Sequence, residues 1–441
     1  MSHRTKLVLL FLALYVFRTL FGLSLTFFGS NEIENDAFQT YLIGLKSYTT
    51  GTWPYFGPDQ YLLSTGFHSQ LPGALEGLVI GLPFRALPLP EAPFLLLNLL
   101  SLSAIALLSS YIVRRLPEFS FPFTFAWISL LPWTLNLSTH VFNPSYLLFG
   151  SVLFFLGFLE ALPGLSLGWI PSPWAFALMG FGLGWDMQFH NSWVLLSLPV
   201  LGAFLWRRKK GAAGTRGEIL GFLGGAALPL ALLAPTLLNY GLARGSTGFT
   251  AVAMGFNWDN FKSFPTILAR YLSFPCFEMP RFIGSGSGAR MEFFKKAPWL
   301  LPPGIFLTLL GWVQPFALLF LEWRKNGKHP EASVFRNLVA LGLLWVWFCF
   351  WFTSSGPSSH MYYVFLPLTV VYSFHVWSRF TSRSGRVWAA ACLAASLWFQ
   401  SGFILQDLKG PSLYSDRPRV AKALQQKDYR VLGERRRGSF Y

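Results

Sequence analysis

Residues 7–28 read LVLLFLALYVFRTLFGLSLTFF, an apolar run long enough for a helix to cross a bilayer. Similar runs recur along the whole chain, and they are continuous rather than alternating, which favours helices over the strands of a membrane barrel. We predict further apolar segments at roughly 74–90, 92–113, 121–138, 145–162, 173–187, 192–206, 219–240, 299–322, 335–353, 361–378 and 387–405. The sequence therefore predicts an all-α integral membrane protein with about 11 to 12 transmembrane helices.

The composition agrees with a membrane protein. The chain of 441 residues is 53% hydrophobic and only 12% charged, whereas a soluble domain carries about 25% charged residues. The net charge of +16 comes from basic residues that cluster between the apolar runs, which is typical of cytoplasmic loops and gives no reason to expect a nucleic-acid partner. These clusters are Arg4 with Lys6, Arg114 with Arg115, Arg207 to Lys210, Arg324 to Lys328 and Arg379 to Arg386.

The positions of the basic clusters constrain the topology. If the segments 74–90 and 92–113 both crossed the membrane, Arg114 and Arg115 would lie outside, against the positive-inside rule. Five prolines interrupt residues 71–93, so we predict that this stretch is re-entrant or interfacial. Residues 1–405 then form one transmembrane domain with external loops at 29–73 and 241–297, followed by a basic tail at 406–441 that also lies outside.

Polar residues concentrate on the predicted external side. Residues 31–73 read NEIENDAFQTYLIGLKSYTTGTWPYFGPDQYLLSTGFHSQLPG and begin with the acids Glu32, Glu34 and Asp36. Carboxylates near a bilayer are costly unless they face water or a polar cavity. The other external turns add the polar residues His140, Asn143, Asp186, His190 and His360. A transport path needs polar groups near the middle of the membrane, so this one-sided cluster favours chemistry on a substrate that arrives in the lipid.

Arg18 interrupts the first apolar run. A charged side chain inside a span is expensive, so we expect Arg18 to reach the interface or to pair with an acid in the bundle. Apart from Arg18, few charged residues lie near the middle of the predicted spans.

The order of three motifs resembles a known family. An acidic stretch (Asn35-Asp36-Ala37-Phe38) follows the first span, then Gly51-Thr52-Trp53-Pro54-Tyr55, then Gln70-Leu71-Pro72-Gly73. This order is similar to that of bacterial membrane glycosyltransferases with the GT-C fold, relatives of the aminoarabinose and protein O-mannosyl transferases. The resemblance covers the first half of the chain by motif and the second half by hydropathy. It implies a GT-C-like bundle in the bacterial inner membrane, with an active site on the extracytoplasmic face.

The resemblance also implies roles for individual residues. The donor would be a sugar on a polyprenyl phosphate, and Asp36 would act as general base with Glu34 as helper, in a single inverting displacement. From the chemistry of this reaction, and not from the resemblance, we expect one of Arg281, Arg270 or Lys262 to hold the phosphate. We also expect His68, His190 or His360 to hydrogen-bond the phosphate or the sugar. Gln70, His140, Asn143, Asp186 and Tyr362 complete the predicted substrate-binding set. The acceptor would be a lipid, a glycan or a protein, and membrane lipids would surround the bundle.

This sequence departs from the family pattern at two positions. Asn35 and Asn143 stand where the family often has acids, so the resemblance does not supply a second carboxylate or a metal site built from two. The pattern therefore assigns no cofactor, and a divalent metal stays open without support from the sequence.

Two other functions remain open at this point. An O-antigen-type ligase or polymerase has a similar hydropathy profile but is expected to carry catalytic Arg and His in a late loop, and 241–297 contains no histidine. A lipid or glycan transporter is disfavoured by the lack of an internal repeat.

Overall fold

The computed structural model describes residues 2–25, 36–62, 67–209, 216–241, 255–274, 276, 283, 287–324, 330–353, 356–378, 383–407 and 413–432. The helices are α1 (His3–Ser24), α2 (Asp36–Thr50), α3 (Leu75–Ala86), α4 (Ala92–Arg115), α5 (Phe121–Ser129), α6 (Pro132–Leu137), α7 (Leu147–Ala161), α8 (Ser172–Met187), α9 (Ser197–Lys209), α10 (Arg216–Ala231), α11 (Ala234–Tyr240), α12 (Trp258–Phe261), α13 (Phe264–Ser273), α14 (Ser287–Lys296), α15 (Leu301–Arg324), α16 (Pro330–Phe350), α17 (Leu366–Trp377), α18 (Arg383–Asp407) and α19 (Leu413–Gln426). Short 3-10 turns lie at Asn143–Tyr146, Asn191–Leu196, Pro298–Leu300, Ser359–Phe365 and Tyr429–Leu432. The two strands, β1 (Phe56–Leu62) and β2 (Phe67–Pro72), form one antiparallel pair.

The fold is that of an all-α membrane protein. Six helical stretches in the described ranges are long and apolar enough to cross a bilayer, and α10 with α11, bent by 60°, would make a seventh. The six stretches are His3–Ser24, Ala92–Arg115, Asn143–Ala161, Pro298–Glu322, Ser333–Phe350 and Arg386–Gln406. The other predicted segments form shorter or broken helices, such as α5 and α6, so the count is below the predicted 11 to 12. Hydropathy identifies an apolar run, but it does not show where the helix within that run is interrupted.

Helix α3 is short, as the prolines around it predicted. Its 12 residues rise about 18 Å, well below the hydrocarbon thickness of about 30 Å. Pro83 lies within its last turn, and the chain then leaves the helix before α4 begins at Ala92.

The segment 29–73 contains more regular structure than the loop that the sequence suggested. Helix α2 buries Phe38, Tyr41, Leu42 and Leu45, whose spacing is that of one helix face. This face packs on α3, where Gly44 permits a close approach to Ile80. The hairpin β1–β2 follows directly, and its register shifts by one residue between Phe56 and Asp59. Two six-to-seven-residue runs separated by Leu-Ser-Thr-Gly were the available signal for it.

Contacts distinguish the two ends of the bundle. Arg115 forms a salt bridge of 2.8 Å with Glu331, and it also donates to the Leu165 carbonyl. Arg207 donates to the Ala161 carbonyl at 3.0 Å in the same turn after α7, and forms a salt bridge of 2.5 Å with Glu218. We call this the basic end. The opposite end, with the start of α2, the base of the hairpin and the turns 138–146, 186–192 and 353–365, is called the polar end.

Arg18 is fully buried in α1, and its partners differ from those expected. Its guanidinium donates to the Ser129 carbonyl at 2.6 Å, the Ser138 hydroxyl at 2.8 Å and the Ser101 hydroxyl at 3.2 Å. No described acid forms a salt bridge with it, so the expectation of an acidic or interfacial partner is wrong. The reason is the break between α5 and α6, because it leaves carbonyl groups that need a donor.

The basic tail folds against the polar end. Its helix α19 and the following turn bury Val420, Leu424 and Tyr429. Arg417 forms a salt bridge of 2.5 Å with Glu91 in the turn before α4. The tail therefore lies at the same end as α2, where the predicted topology put it.

Candidate active site

The predicted acids lie at or beyond the edge of what the structure describes. Asp36 is the first residue of α2, and its side chain is outside the described part of the chain, as are Glu34 and Arg281 entirely. His68 occupies β2 opposite Tyr61, but its side chain is likewise not among those described. For Asp36 and His68, the structure therefore describes only the position of the backbone.

The base of the hairpin is anchored to the end of α8. Gln70 is buried and donates from Nε2 to the Gly57 carbonyl at 3.2 Å. Gly73, at φ 132°, donates to the Tyr55 carbonyl at 2.9 Å. A side chain at this position would be strained, and its Cβ would lie 2.5 Å from Oε1 of Gln188. The motif that carries the family resemblance is therefore held against α8.

Glu76 is a buried carboxylate that the sequence reasoning missed. It lies fully buried in the first turn of α3, where the helix N-terminus favours negative charge. Its Oε1 accepts a hydrogen bond of 3.1 Å from Thr40 Oγ1 on α2. Thr40 comes four residues after Asp36, so both positions lie on one face of α2. An acid inside the predicted segment 74–90 was the signal that could have identified it.

Asp186 is the second buried carboxylate at this end. Its Oδ2 accepts a hydrogen bond of 3.0 Å from the Ser151 hydroxyl. Its Oδ1 has no hydrogen-bond partner among the described residues and faces Gly150, where a Cβ would collide with it. One carboxylate oxygen thus keeps its hydrogen-bonding capacity in a buried position. Arg18, Glu76 and Asp186 are all buried, so the bundle buries more ionisable side chains than the sequence suggested.

Three predicted histidines are joined through one aromatic ring. His140 stacks on Phe142 with ring centroids 5.5 Å apart, and Phe142 meets His360 edge-on at 6.3 Å. His360 in turn lies 5.5 Å from His190, with the two rings nearly perpendicular. The turns 138–146, 186–192 and 353–365 therefore converge.

Two of these imidazoles, those of His140 and His190, are neutral at pH 7. Burial lowers the pKa of His140 to about 4. Burial, together with the charge of His360, lowers the pKa of His190 to about 3. Nδ1 of His190 accepts from the Ser192 backbone amide at 3.2 Å, which leaves its proton on Nε2. Neutral imidazoles both donate and accept, so they suit hydroxyl groups better than they suit a permanent anion.

Several other buried polar atoms lie in the same turns. Tyr146 stacks on Phe189 with centroids 4.9 Å apart, and Asn143 begins the same 3-10 turn. Neither the Tyr146 hydroxyl nor Oδ1 of Asn143 has a hydrogen-bond partner within the described ranges. Tyr362 is buried, with its ring 6.0 Å from that of Trp133. Leaving a buried polar group unsatisfied costs about 1–3 kcal/mol, so such a concentration points to a ligand site.

The two described bases differ in position. Arg270 on α13 donates to the Pro357 carbonyl, three residues before His360, so it lies beside the polar end. Lys262 has a side chain 74% exposed and lies 3.5 Å from Asp259 on the surface. The structure therefore brings Arg270, but not Lys262, to the histidine cluster.

The polar end supplies buried carboxylates, neutral imidazoles, amides and one arginine, which together can bind hydroxyl groups and accept a proton. Among the described residues, no group of three or more His, Cys, Asp or Glu side chains is placed to hold a metal ion. No protein-family model, no curated protein and no solved structure matches this chain.

Proposed function

We propose that this chain is a membrane glycosyltransferase with a GT-C-like arrangement that takes its sugar from a polyprenyl-phosphate carrier. The observation that carries the proposal is the contact between α2 and α3. The face of α2 that begins at Asp36 meets the buried carboxylate of Glu76 through Thr40. The family often has a second acid where this chain has Asn35 or Asn143. In this proposal Glu76 of α3 supplies that second carboxylate.

The reaction is a single displacement with inversion at the anomeric carbon. A hydroxyl or amine of the acceptor attacks that carbon, and the bond to the phosphate oxygen breaks. Asp36 takes the proton from the acceptor, and the polyprenyl phosphate leaves with the bonding electron pair. Glu76, a second carboxylate near the same helix face, holds the acceptor. A phosphate leaving group needs little acid assistance, so two carboxylates on the acceptor side suit the reaction.

The departing phosphate needs a cation. Arg270 beside the turn of His360 meets this need, and a guanidinium fits phosphate oxygens through two parallel hydrogen bonds. Arg281 remains a second candidate from sequence alone. Lys262 is withdrawn from this role because it lies exposed beside Asp259.

The neutral side chains would bind the sugar. His190 and His360 offer donors and acceptors to hydroxyl groups, and Oδ1 of Asp186 offers one further hydrogen-bonding atom. The lipid tail of the donor explains why such a site is built at one end of a membrane bundle. We place the reaction at the extracytoplasmic face of a bacterial inner membrane, with a lipid, a glycan or a protein as acceptor.

Transfer of a labelled sugar from polyprenyl phosphate tests the proposal directly. Membranes containing the Asp36→Asn variant should transfer about 10²–10⁴-fold more slowly than the wild type, the usual contribution of a general base. Glu32→Gln, a change of charge four residues earlier in the same segment, is the matched control and should keep full activity. Equal transfer by wild type and Asp36→Asn would remove Asp36 from the mechanism.

The same membranes distinguish the rival functions. A transporter would move the intact lipid-linked sugar across the bilayer without forming a glycosidic product. An O-antigen-type ligase or polymerase would require an oligosaccharide on its carrier and would leave a monosaccharide donor unused.

A further inference from the structure

A second, apolar site lies away from the polar end. A groove of about 190 Å³ opens beside the first turns of α15 and is lined by Phe294, Leu301, Gly304, Ile305, Thr308 and Leu309. Phe294 packs with a small hydrophobic cluster around Leu300, Leu307 and Phe399 that is separate from the main core. None of the polar-end residues lines the groove.

Glycine shapes the groove. A Cβ at Gly304 would lie 2.9 Å from the ring of Phe399 and 3.5 Å from that of Phe294, so the bare backbone lets these two rings approach. Leu301, Ile305 and Leu309 form a ridge at four-residue spacing and are 42%, 49% and 59% exposed. This stretch belongs to the membrane span Pro298–Glu322, so the groove faces hydrocarbon rather than water. From Leu301 to Leu309 the helix rises about 12 Å, close to the depth of one leaflet, about 15 Å.

A basic helix stands at the mouth of the groove. Helix α14 has no buried residue and ends in Lys295 and Lys296, directly after the groove residue Phe294. Glu292 forms a salt bridge of 2.6 Å with Lys296 and is the helix's one acid against three basic residues. Trp299, 41% exposed at the start of the span, is the residue type that marks a membrane interface.

We propose that this groove binds one acyl chain of an anionic glycerophospholipid whose phosphate pairs with Lys295 and Lys296. Charge complementarity selects the headgroup, because an exposed lysine pair next to the bilayer attracts anionic lipid. The depth of the groove matches one acyl chain, which ends within its leaflet. The site is independent of the proposed glycosyl transfer, since it shares no residue with the polar end.

Photo-crosslinking in lipid nanodiscs tests the site. The full-length protein is reconstituted with phosphatidylglycerol or phosphatidylcholine that carries a photoreactive acyl chain, and crosslinked peptides are identified by mass spectrometry. We expect crosslinks within residues 294–309, with phosphatidylglycerol favoured roughly 30-fold, the effect expected for two lysines near a membrane surface. The double variant Lys295→Gln/Lys296→Gln should abolish the preference, and Lys422→Gln/Lys427→Gln on the tail should leave it unchanged.

A filled groove gives the second measurement. Thr308→Trp should abolish crosslinking of both lipids, whereas Leu319→Trp, an exposed position further along the same span, should not. Thermal unfolding of each variant establishes whether it is folded. If Thr308→Trp is not folded, the lysine variants alone decide the outcome. Equal crosslinking of the two lipids would overturn the proposal. So would displacement of phosphatidylglycerol by an equimolar polyprenyl phosphate, because the groove would then belong to the donor's tail.

Discussion

Both ends of the bundle bury carboxylates, but these carboxylates differ in the hydrogen bonds that they accept from the protein. At the basic end, Glu160 accepts hydrogen bonds from the Ser166 hydroxyl at 2.9 Å and from the backbone amides of Leu167 and Trp169 at 3.0 Å. Glu218 pairs with Arg207 at 2.5 Å and accepts from Ser172 at 2.7 Å. These carboxylates are saturated by the protein and hold the turns of the bundle together.

At the polar end, Asp186 is less saturated. It uses one oxygen on Ser151 and leaves the other with no partner among the described residues. Glu76 accepts from Thr40 at the face of α2 that starts with Asp36. The comparison teaches that burial alone is a poor guide to a functional acid. An oxygen without a described hydrogen-bond partner is a better guide, and of the acids compared Asp186 has one whereas Glu160 does not.

The largest expected effect separates the two ends by activity. Glu76→Gln keeps the shape and the hydrogen bond to Thr40 but loses the charge, so transfer should fall by about 10²-fold. The measurement is the initial transfer rate. Glu160→Gln is the matched control at the basic end and should leave the activity per folded molecule unchanged.

The second effect separates the ends by stability. Arg207→Met leaves the Glu218 carboxylate, 1% exposed, without its cation and should destabilise the protein by about 3–5 kcal/mol. Unfolding in detergent measures this loss. Arg208→Met, at the exposed neighbouring position, provides the control and should be near neutral. If Arg207→Met is as stable as the wild type, the salt bridge at the basic end makes no measurable contribution to the free energy of unfolding.

The neutral histidines predict a pH dependence that originates at the polar end. Since the pKa of His190 is lowered to about 3 in the folded protein, the unfolded chain binds its proton first as pH falls below about 6.5. The contribution to stability is therefore complete above that pH and declines on acidification, by up to about 1.4 kcal/mol per pH unit. The measurement is the midpoint of thermal unfolding between pH 7 and pH 5. His190→Gln should reduce the dependence to the part that the buried His140 contributes, while His3→Gln, exposed near the N-terminus, should not alter it.

Composition and periodicity predicted the helical membrane class, the short α3 and the convergence of polar turns on one end, because these follow from chain length, charge position and proline. They did not predict the partners of Arg18, since the carbonyls of Ser129 and Ser138 become available only where α5 and α6 break. Helix α2 was hidden because its apolar face is short and lies in a polar context.

Glu76 was missed for a different reason. The sequence concentrates acids in the external loop, whereas the acid that meets α2 comes from the next apolar segment. Only tertiary structure brings Thr40 and Glu76 together across 36 residues of chain. The side chains of Asp36 and His68 remain predictions from sequence, since they lie outside the described part.

The smallest effect tests the comparison at single hydrogen bonds. Ser151→Ala removes the one described donor to Asp186, and because the acid is fully buried the loss should be about 1 kcal/mol. Ser166→Ala removes one donor of several from Glu160, whose backbone amides remain, so it should cost roughly half of that or less. The same unfolding experiment measures both variants. Each variant removes one serine hydroxyl, so the two losses of stability can be compared directly. Equal losses would show that Asp186 is as well saturated as Glu160, and the distinction between the two ends would then be lost.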